Sequence, residues 1–88
     1  MSNKIEIYSR SNCTYCVMAI NYFDARGLQY KVLNTDDPKI FNEMMKRNPH
    51  ARTVPQIFID NELVGGYTDL IESSNNIYGS IQFIFNNT

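Results

Sequence analysis

The sequence predicts a small α/β domain in which a parallel strand–helix–strand unit is followed by an antiparallel hairpin. Three observations carry that prediction. First, the hydrophobic period changes twice along the N-terminal stretch, from a short strand pattern at Ile5 to Tyr8, to helical spacing over Thr14 to Arg26, and back to a strand over Leu28 to Leu33. A helix crossing between two strands makes them parallel and the crossover right-handed. Second, Gln56 to Ile59 and Glu62 to Val64 are separated only by Asp60-Asn61, which leaves room for a hairpin turn and nothing more. Third, 88 residues suffice for one core of about four strands and three helices, so residues 1–88 are expected to form a single domain without a separate substrate domain.

Each element has a local reason. Ile5-Glu6-Ile7-Tyr8 alternates apolar with mixed character, and Ser9 to Asn12 is a polar loop that delivers the chain to Cys13. Cys16, Val17, Ile20 and Phe23 then recur at helical spacing, a face that turns inward, buries Cys16 and leaves Cys13 at the exposed end. Gly27 is placed to cap that helix, and the strand after it carries Tyr30 and Val32 on one face. Asp36-Asp37-Pro38 reads as a helix start, an acidic cap with proline in the first turn; Phe41, Met44 and Met45 supply its apolar stripe through about Arg47. The methionines read as core filler.

Asn48 to Arg52 is loop, and Pro55 stands at the mouth of the next strand, where a residue without an N–H does not interrupt the ladder. Asp60-Asn61 reverses the chain, and Gly65-Gly66 ends the returning strand. Thr68 or Asp69 caps a third helix through Ser74, and Asp69 with Glu72 three residues on has capping-box character. Asn75 to Thr88 fits a helix through Ile77, Ile81, Ile84 and Phe85 and fits a strand equally well; a helix covering the sheet is the preferred reading.

Formal net charge is -1, and the eight Lys and Arg form no basic run, which excludes a nucleic-acid or anionic-membrane footprint. The start of the chain leads straight into a strand with no apolar signal region, and no stretch approaches the roughly 20 apolar residues of a membrane span. A cytoplasmic location is the expectation. Two cysteines cannot build the disulfide framework of a small secreted scaffold, and in a reducing compartment a pair three residues apart reads as catalytic rather than structural.

That pair, in Cys13-Thr14-Tyr15-Cys16, is where the chemistry concentrates. If the helix begins at Thr14, both sulfurs lie within bridging distance, one turn apart. The unpaired N–H groups and the positive dipole end would then favour a Cys13 thiolate, a nucleophile at neutral pH. Zinc needs about four ligands, and two cysteines with the single His50 cannot supply them, so no intrachain metal site is expected. A structural disulfide closing so short a loop would remove little unfolded-state entropy. A Cys-X-X-Cys beside a strand–helix–strand unit is instead a redox signature. His50 reads as an exposed loop residue, since exchange by a preformed thiolate needs no general base.

Three blocks in order, Tyr8 to Cys16, Thr53 to Asp60 and Gly65-Gly66-Tyr67-Thr68-Asp69-Leu70, make the chain resemble the glutaredoxins over about residues 3 to 74. The resemblance implies a thioredoxin fold with a four-stranded mixed sheet flanked by three or more helices, and glutathione as cofactor. It also implies roles. Val54-Pro55 is similar to the family's cis-proline pair, beside which the cysteinyl unit of glutathione would lie as a short added strand together with Thr53. Gly66, Thr68 and Asp69 would take the γ-glutamyl carboxylate and ammonium at a helix start. Arg10 stands where relatives carry a lysine, and would favour the Cys13 thiolate and attract the glycine carboxylate. Tyr15 would flank the bound sulfur. Arg52, with Lys46 or Arg47, offers further carboxylate partners, whereas Tyr22, Tyr30, Tyr67 and Tyr78 read as packing residues.

The implied activity is glutathione-dependent thiol–disulfide exchange on protein disulfides and glutathionylated proteins by a monomer, with Cys13 attacking and Cys16 resolving. Two alternatives stand beside it. Thr14, where many dithiol relatives have proline, raises a dimer binding a [2Fe–2S] cluster through Cys13 and glutathione. A dedicated electron donor to ribonucleotide reductase would share the chemistry and differ only in partner.

Overall fold

A computed structural model describes residues 4–73. In chain order they form β1 (Ile5–Ser9), α1 (Thr14–Ala25), β2 (Lys31–Asn34), α2 (Pro38–Arg47), β3 (Gln56–Ile59), β4 (Glu62–Gly65) and α3, helical over 67–73. The sheet order is β2-β1-β3-β4, with β1 parallel to β2 and antiparallel to β3, and β3 antiparallel to β4. This is the expected mixed four-stranded sheet. The reading of Asn75 to Thr88 lies outside the described residues.

β1 is the central strand and is buried over its whole length. Because successive side chains alternate across a sheet, its residues serve two cores. Ile5 and Ile7 join Ala19, Phe23, Ile57 and Leu70, under α1 and α3, while Tyr8 joins Met44 and Phe58 under α2. Glu6 shares the Tyr8 side and is itself buried, 7% exposed. Arg47 explains how it is tolerated. One guanidinium nitrogen donates to Glu6 Oε1 at 3.0 Å and the other to Tyr8 Oη at 3.0 Å, while the Tyr8 hydroxyl donates to Glu43 at 2.7 Å. Burial, with the Glu43 hydrogen bond assisting and Arg47 opposing, pushes the Tyr8 hydroxyl above its ordinary 10.0.

The helix ends follow their local chemistry. Asp37 accepts from the Lys39 N–H at 2.9 Å as N-cap of α2, with Pro38 behind it. At the far end of α1, Gly27 sits at φ 67, its N–H donates to the Asp24 carbonyl, and the Leu28 N–H reaches back to Phe23. That pairing is a Schellman stop. Asp60 and Asn61, at φ 53 and 70, make the hairpin turn with the two left-handed residues its twist requires.

Several expectations are corrected. Leu28 belongs to the stop motif, so the second strand starts at Lys31, and Val32 is 44% exposed on this sheet edge. The buried face of α1 runs through Cys16, Ala19 and Phe23, and Val17 is 54% exposed. Residues 16, 19 and 23 share one helix face, and Val17 lies about 100° round from Cys16. Phe41 is likewise exposed at 44%; Met45 packs beside Met44 as expected, and Ile40 takes the place of Phe41. Gly65 pairs within β4, where Val64 bulges between the Leu63–Phe58 and Gly65–Ile57 pairs, so the strand ends one residue later than expected. Among the described residues no helix is long and apolar enough to cross a membrane.

Candidate active site

The end of β1, the entry to β3 and the starts of α1 and α3 converge on one groove of about 970 Å³. β1 supplies the approach to it. The Ser9 carbonyl accepts from both the N–H and the hydroxyl of Thr35, and Ser11 is held by the Asp36 carboxylate, so the loop after β1 is tied to the start of α2. Asn12 turns the chain through φ 58 and places Cys13 at the N-cap of α1.

There the Cys13 sulfur takes the part that a serine or aspartate oxygen usually plays. Its Sγ accepts the Cys16 N–H at 3.2 Å. Cys13 and Cys16 are disulfide-bonded, with Cα atoms 5.2 Å apart, so the bridge closes within one helical turn. As expected, Cys16 is buried, 1% exposed; Cys13, expected at the exposed end of the helix, is half-buried at the groove.

The facing wall is the entry to β3. The Val54–Pro55 peptide bond is cis, and the Val54 carbonyl oxygen lies 3.7 Å from Cys13 Sγ. Two amide side chains hold this segment. Gln56, 7% exposed, donates to the Thr53 carbonyl at 2.8 Å and accepts from Asn48 at 3.1 Å; Asn48 in turn closes α2 by donating to Met44. The third wall is the start of α3. Gly66 donates its N–H to Asp69 Oδ2 at 2.9 Å and accepts from the Leu70 N–H, so Gly66 is the cap and Asp69 the third helical residue reaching back to it. This corrects the expected cap at Thr68 or Asp69 and its pairing with Glu72: the helix begins two residues earlier, because Gly66 makes the turn out of β4. Gly65 is at φ 117, and a Cβ there would meet Asp69 Cβ and Cγ at 2.8 Å.

Arg10, Tyr15, Thr53, Val54, Pro55, Gly66, Thr68 and Asp69 all line this groove with Cys13. Cys16 does not; it lies behind, lining a smaller hollow of about 490 Å³ with Arg10 and Val17. Arg52 and His50 are exposed and also line the groove, which places His50 at the site that its sequence reading left aside. Arg47 is not part of it. Its guanidinium is committed to Glu6 and Tyr8 and lies 3.9 Å over the Phe58 ring. Three residues were not anticipated here. Asn48 and Gln56 act through hydrogen bonds across the loop, and Tyr67 stacks on Tyr15 with ring centroids 6.0 Å apart. Only the double glycine before Tyr67 signalled a special backbone there. Among the described residues no cluster of three or more His, Cys, Asp or Glu could hold a metal ion.

Comparison with known proteins agrees with this geometry. The glutaredoxin family model matches residues 5–64. The chain is 35% identical over 71 residues to the mitochondrial glutaredoxin-2 of Bos taurus, covering 77% of this chain and 45% of that protein. It is 36% identical over 66 residues to glutaredoxin 3 of Escherichia coli strain K12, covering 75% and 80%. The chain thus spans less than half of the mitochondrial relative. Glutaredoxin 1 from Francisella tularensis, complexed with cacodylate, is similar at a TM-score of 0.73 and 30% identity over 89% of this chain and 99% of that one. A buckwheat glutaredoxin–glutathione complex is similar at 0.73 and 26%, over 84% and 70%. The fold is the thioredoxin fold.

Proposed function

The chain belongs to the glutaredoxin family, and from that premise we propose that it is a glutathione-dependent thiol–disulfide oxidoreductase with Cys13 as nucleophile and Cys16 as resolving thiol. The observation that carries this reading is the Cys16 N–H aimed at Cys13 Sγ from 3.2 Å, at the edge of a groove large enough for a peptide. In the reduced protein that donor and the positive end of α1 favour the Cys13 thiolate, the attacking species in exchange.

Glutathione suits the lining of the groove. Its cysteinyl backbone can pair with the Val54 edge beside Cys13. Its γ-glutamyl carboxylate can meet the first-turn N–H groups at Thr68 and Asp69, and its ammonium the Asp69 carboxylate. Its glycine carboxylate has the exposed guanidinium groups of Arg10 and Arg52 within the same groove. The buckwheat relative, a glutathione complex, supports the same choice.

On a glutathionylated protein, Cys13 Sγ attacks the glutathionyl sulfur. The mixed disulfide breaks, the substrate leaves as a thiolate, and Cys13 carries the glutathionyl group. Glutathione then attacks that sulfur, leaves as oxidised glutathione and returns Cys13 to the thiolate, so one glutathione thiol is consumed for each substrate thiol released. On a protein disulfide, Cys13 forms a mixed disulfide with one substrate sulfur. Cys16 Sγ displaces the substrate by closing the Cys13–Cys16 bridge, the oxidised form described above. Glutathionylated proteins and protein disulfides, that of ribonucleotide reductase among them, are the proposed substrates, in a reducing compartment such as the cytoplasm.

A coupled assay tests the proposal by comparing glutathione with glutathione reductase against thioredoxin reductase as electron source. Turnover is expected with the first pair and lost in Cys13→Ser. Substantial deglutathionylation by Cys13→Ser would overturn the assignment of the nucleophile.

A further inference from the structure

Tyr67 has no part in the exchange chemistry, yet its ring is stacked on Tyr15 with planes 26° from parallel. Tyr15 stands between the two cysteines and is 59% exposed. A side chain so exposed ordinarily keeps its choice of rotamers and pays entropy when a ligand fixes it. Tyr67 differs. It is half-buried and packs against the core cluster that includes Phe23 and Leu70. The stack therefore ties a solvent-facing ring beside the nucleophile to the core, across the gap between the start of α1 and the start of α3. Both rings line the groove that holds Cys13 and Asp69, and Leu63, 46% exposed, adds apolar surface to the same groove.

We infer that Tyr67 is a specificity-determining residue: it fixes the Tyr15 ring as an aromatic platform beside Cys13, selecting polypeptide substrates with an aromatic side chain next to the disulfide-bonded cysteine. The inference rests on the oxidoreductase reading and names the substrate class of the same site. An aromatic ring whose rotors are already fixed presents a large contact area at low entropic cost, which is the character of an anchoring side chain at protein interfaces. Tyr67 lies against one face of the Tyr15 ring. A ring flanking the substrate cysteine can stack on the other while Cys13 addresses the sulfur. Glutathione carries no aromatic group to stack on the free face of the ring, so the stack acts on the choice among polypeptides.

The test uses two glutathionylated peptides that differ only in phenylalanine or glycine next to the modified cysteine, assayed with glutathione and glutathione reductase. The unaltered protein is expected to prefer the phenylalanine peptide by about three- to tenfold in kcat/KM, chiefly through KM. Tyr67→Phe, which keeps the ring, retains the preference, and Tyr67→Ala brings it below about twofold. Because the readout is a ratio between two peptides on one enzyme preparation, loss of folded protein cancels. Tyr15→Ala, which removes the platform itself, gives the same collapse and serves if Tyr67→Ala does not fold. Equal turnover of the two peptides by the unaltered protein, or a preference that survives in either alanine variant, would overturn the inference and leave the oxidoreductase reading standing. No glutathione-dependent turnover of either peptide would bring down both.

Discussion

Replacing Arg47 by alanine is expected to destabilise the fold by about 3–5 kcal/mol. The magnitude follows from what the guanidinium holds. It donates to Glu6 Oε1 and Tyr8 Oη at 3.0 Å each and to Asn61 Oδ1 at 3.4 Å, and it covers the Phe58 ring at 3.9 Å. The side chains of Arg47 and Glu6 are only 20% and 10% exposed, so the pair is largely out of water. Deleting one partner strands the Glu6 carboxylate, a loss of about 3–5 kcal/mol for buried pairs, and the ring contact adds about 1 kcal/mol. Water entering on the exposed side of Arg47 offsets part of this, which makes about 3 kcal/mol the working figure. For a domain of this size that is about 12–24 °C in Tm. Urea denaturation of the oxidised protein measures it, with two controls. Arg47→Lys keeps the charge without the fork and should lose about half as much. Arg47→Met combined with Glu6→Leu removes both charges and should recover most of the stability. Arg47→Ala within about 0.5 kcal/mol of the unaltered protein would refute the reasoning. Because the residue lies away from the groove, Arg47→Lys should also keep kcat/KM for glutathione within about twofold; a larger loss would restore the carboxylate-binding role suggested by its sequence position.

Cys16→Ser should spare deglutathionylation, which needs only Cys13, and impair reduction of protein disulfides at least about tenfold, measured by coupled turnover of the two substrate types. Gly65→Ala introduces a Cβ against the Asp69 side chain at a backbone φ of 117; it should lower stability by about 1–3 kcal/mol and raise the KM for glutathione, read by thermal unfolding and steady-state kinetics. For Tyr8, whose folded pKa is raised above the unfolded 10.0, the folded state holds the proton more tightly, so its contribution is complete below pH 10 and is lost as pH rises through the folded value. Urea midpoints should therefore fall above pH 10, and fall less steeply in Tyr8→Phe; equal slopes for the two proteins would contradict the assignment.

The features that were legible before the structure share one physical trait, which is that their partners lie a few residues away. Asp37 and Pro38 start α2, Gly27 stops α1, and Asp60-Asn61 turns the hairpin, because each hydrogen bond or left-handed φ involved is set within one turn of chain. The same holds for Cys13 and Cys16, whose three-residue spacing at a helix start already contained both the bridge and the N–H donor to Cys13. The remaining groove residues were assembled in advance only through the family blocks, since nothing local says that Val54 faces Cys13 across 41 residues.

Where local rules misled, tertiary geometry decided. Hydrophobicity favoured Val17 for the buried face of α1, but packing against the sheet selects by direction, and Ala19 is the residue that points there. Arg47 resembled a free anion-binding cation until its partners Glu6 and Tyr8, 41 and 39 residues earlier, were brought beside it. Tyr67 read as ordinary packing because stacking on Tyr15 depends on how closely two helix starts approach. By itself, then, the sequence determined the elements, the caps of α1 and α2 and the redox pair, all products of short-range hydrogen bonding and periodicity. Only the tertiary structure decided which cation is structural and which ring stacks on Tyr15, because those interactions exist solely between segments that folding brings together.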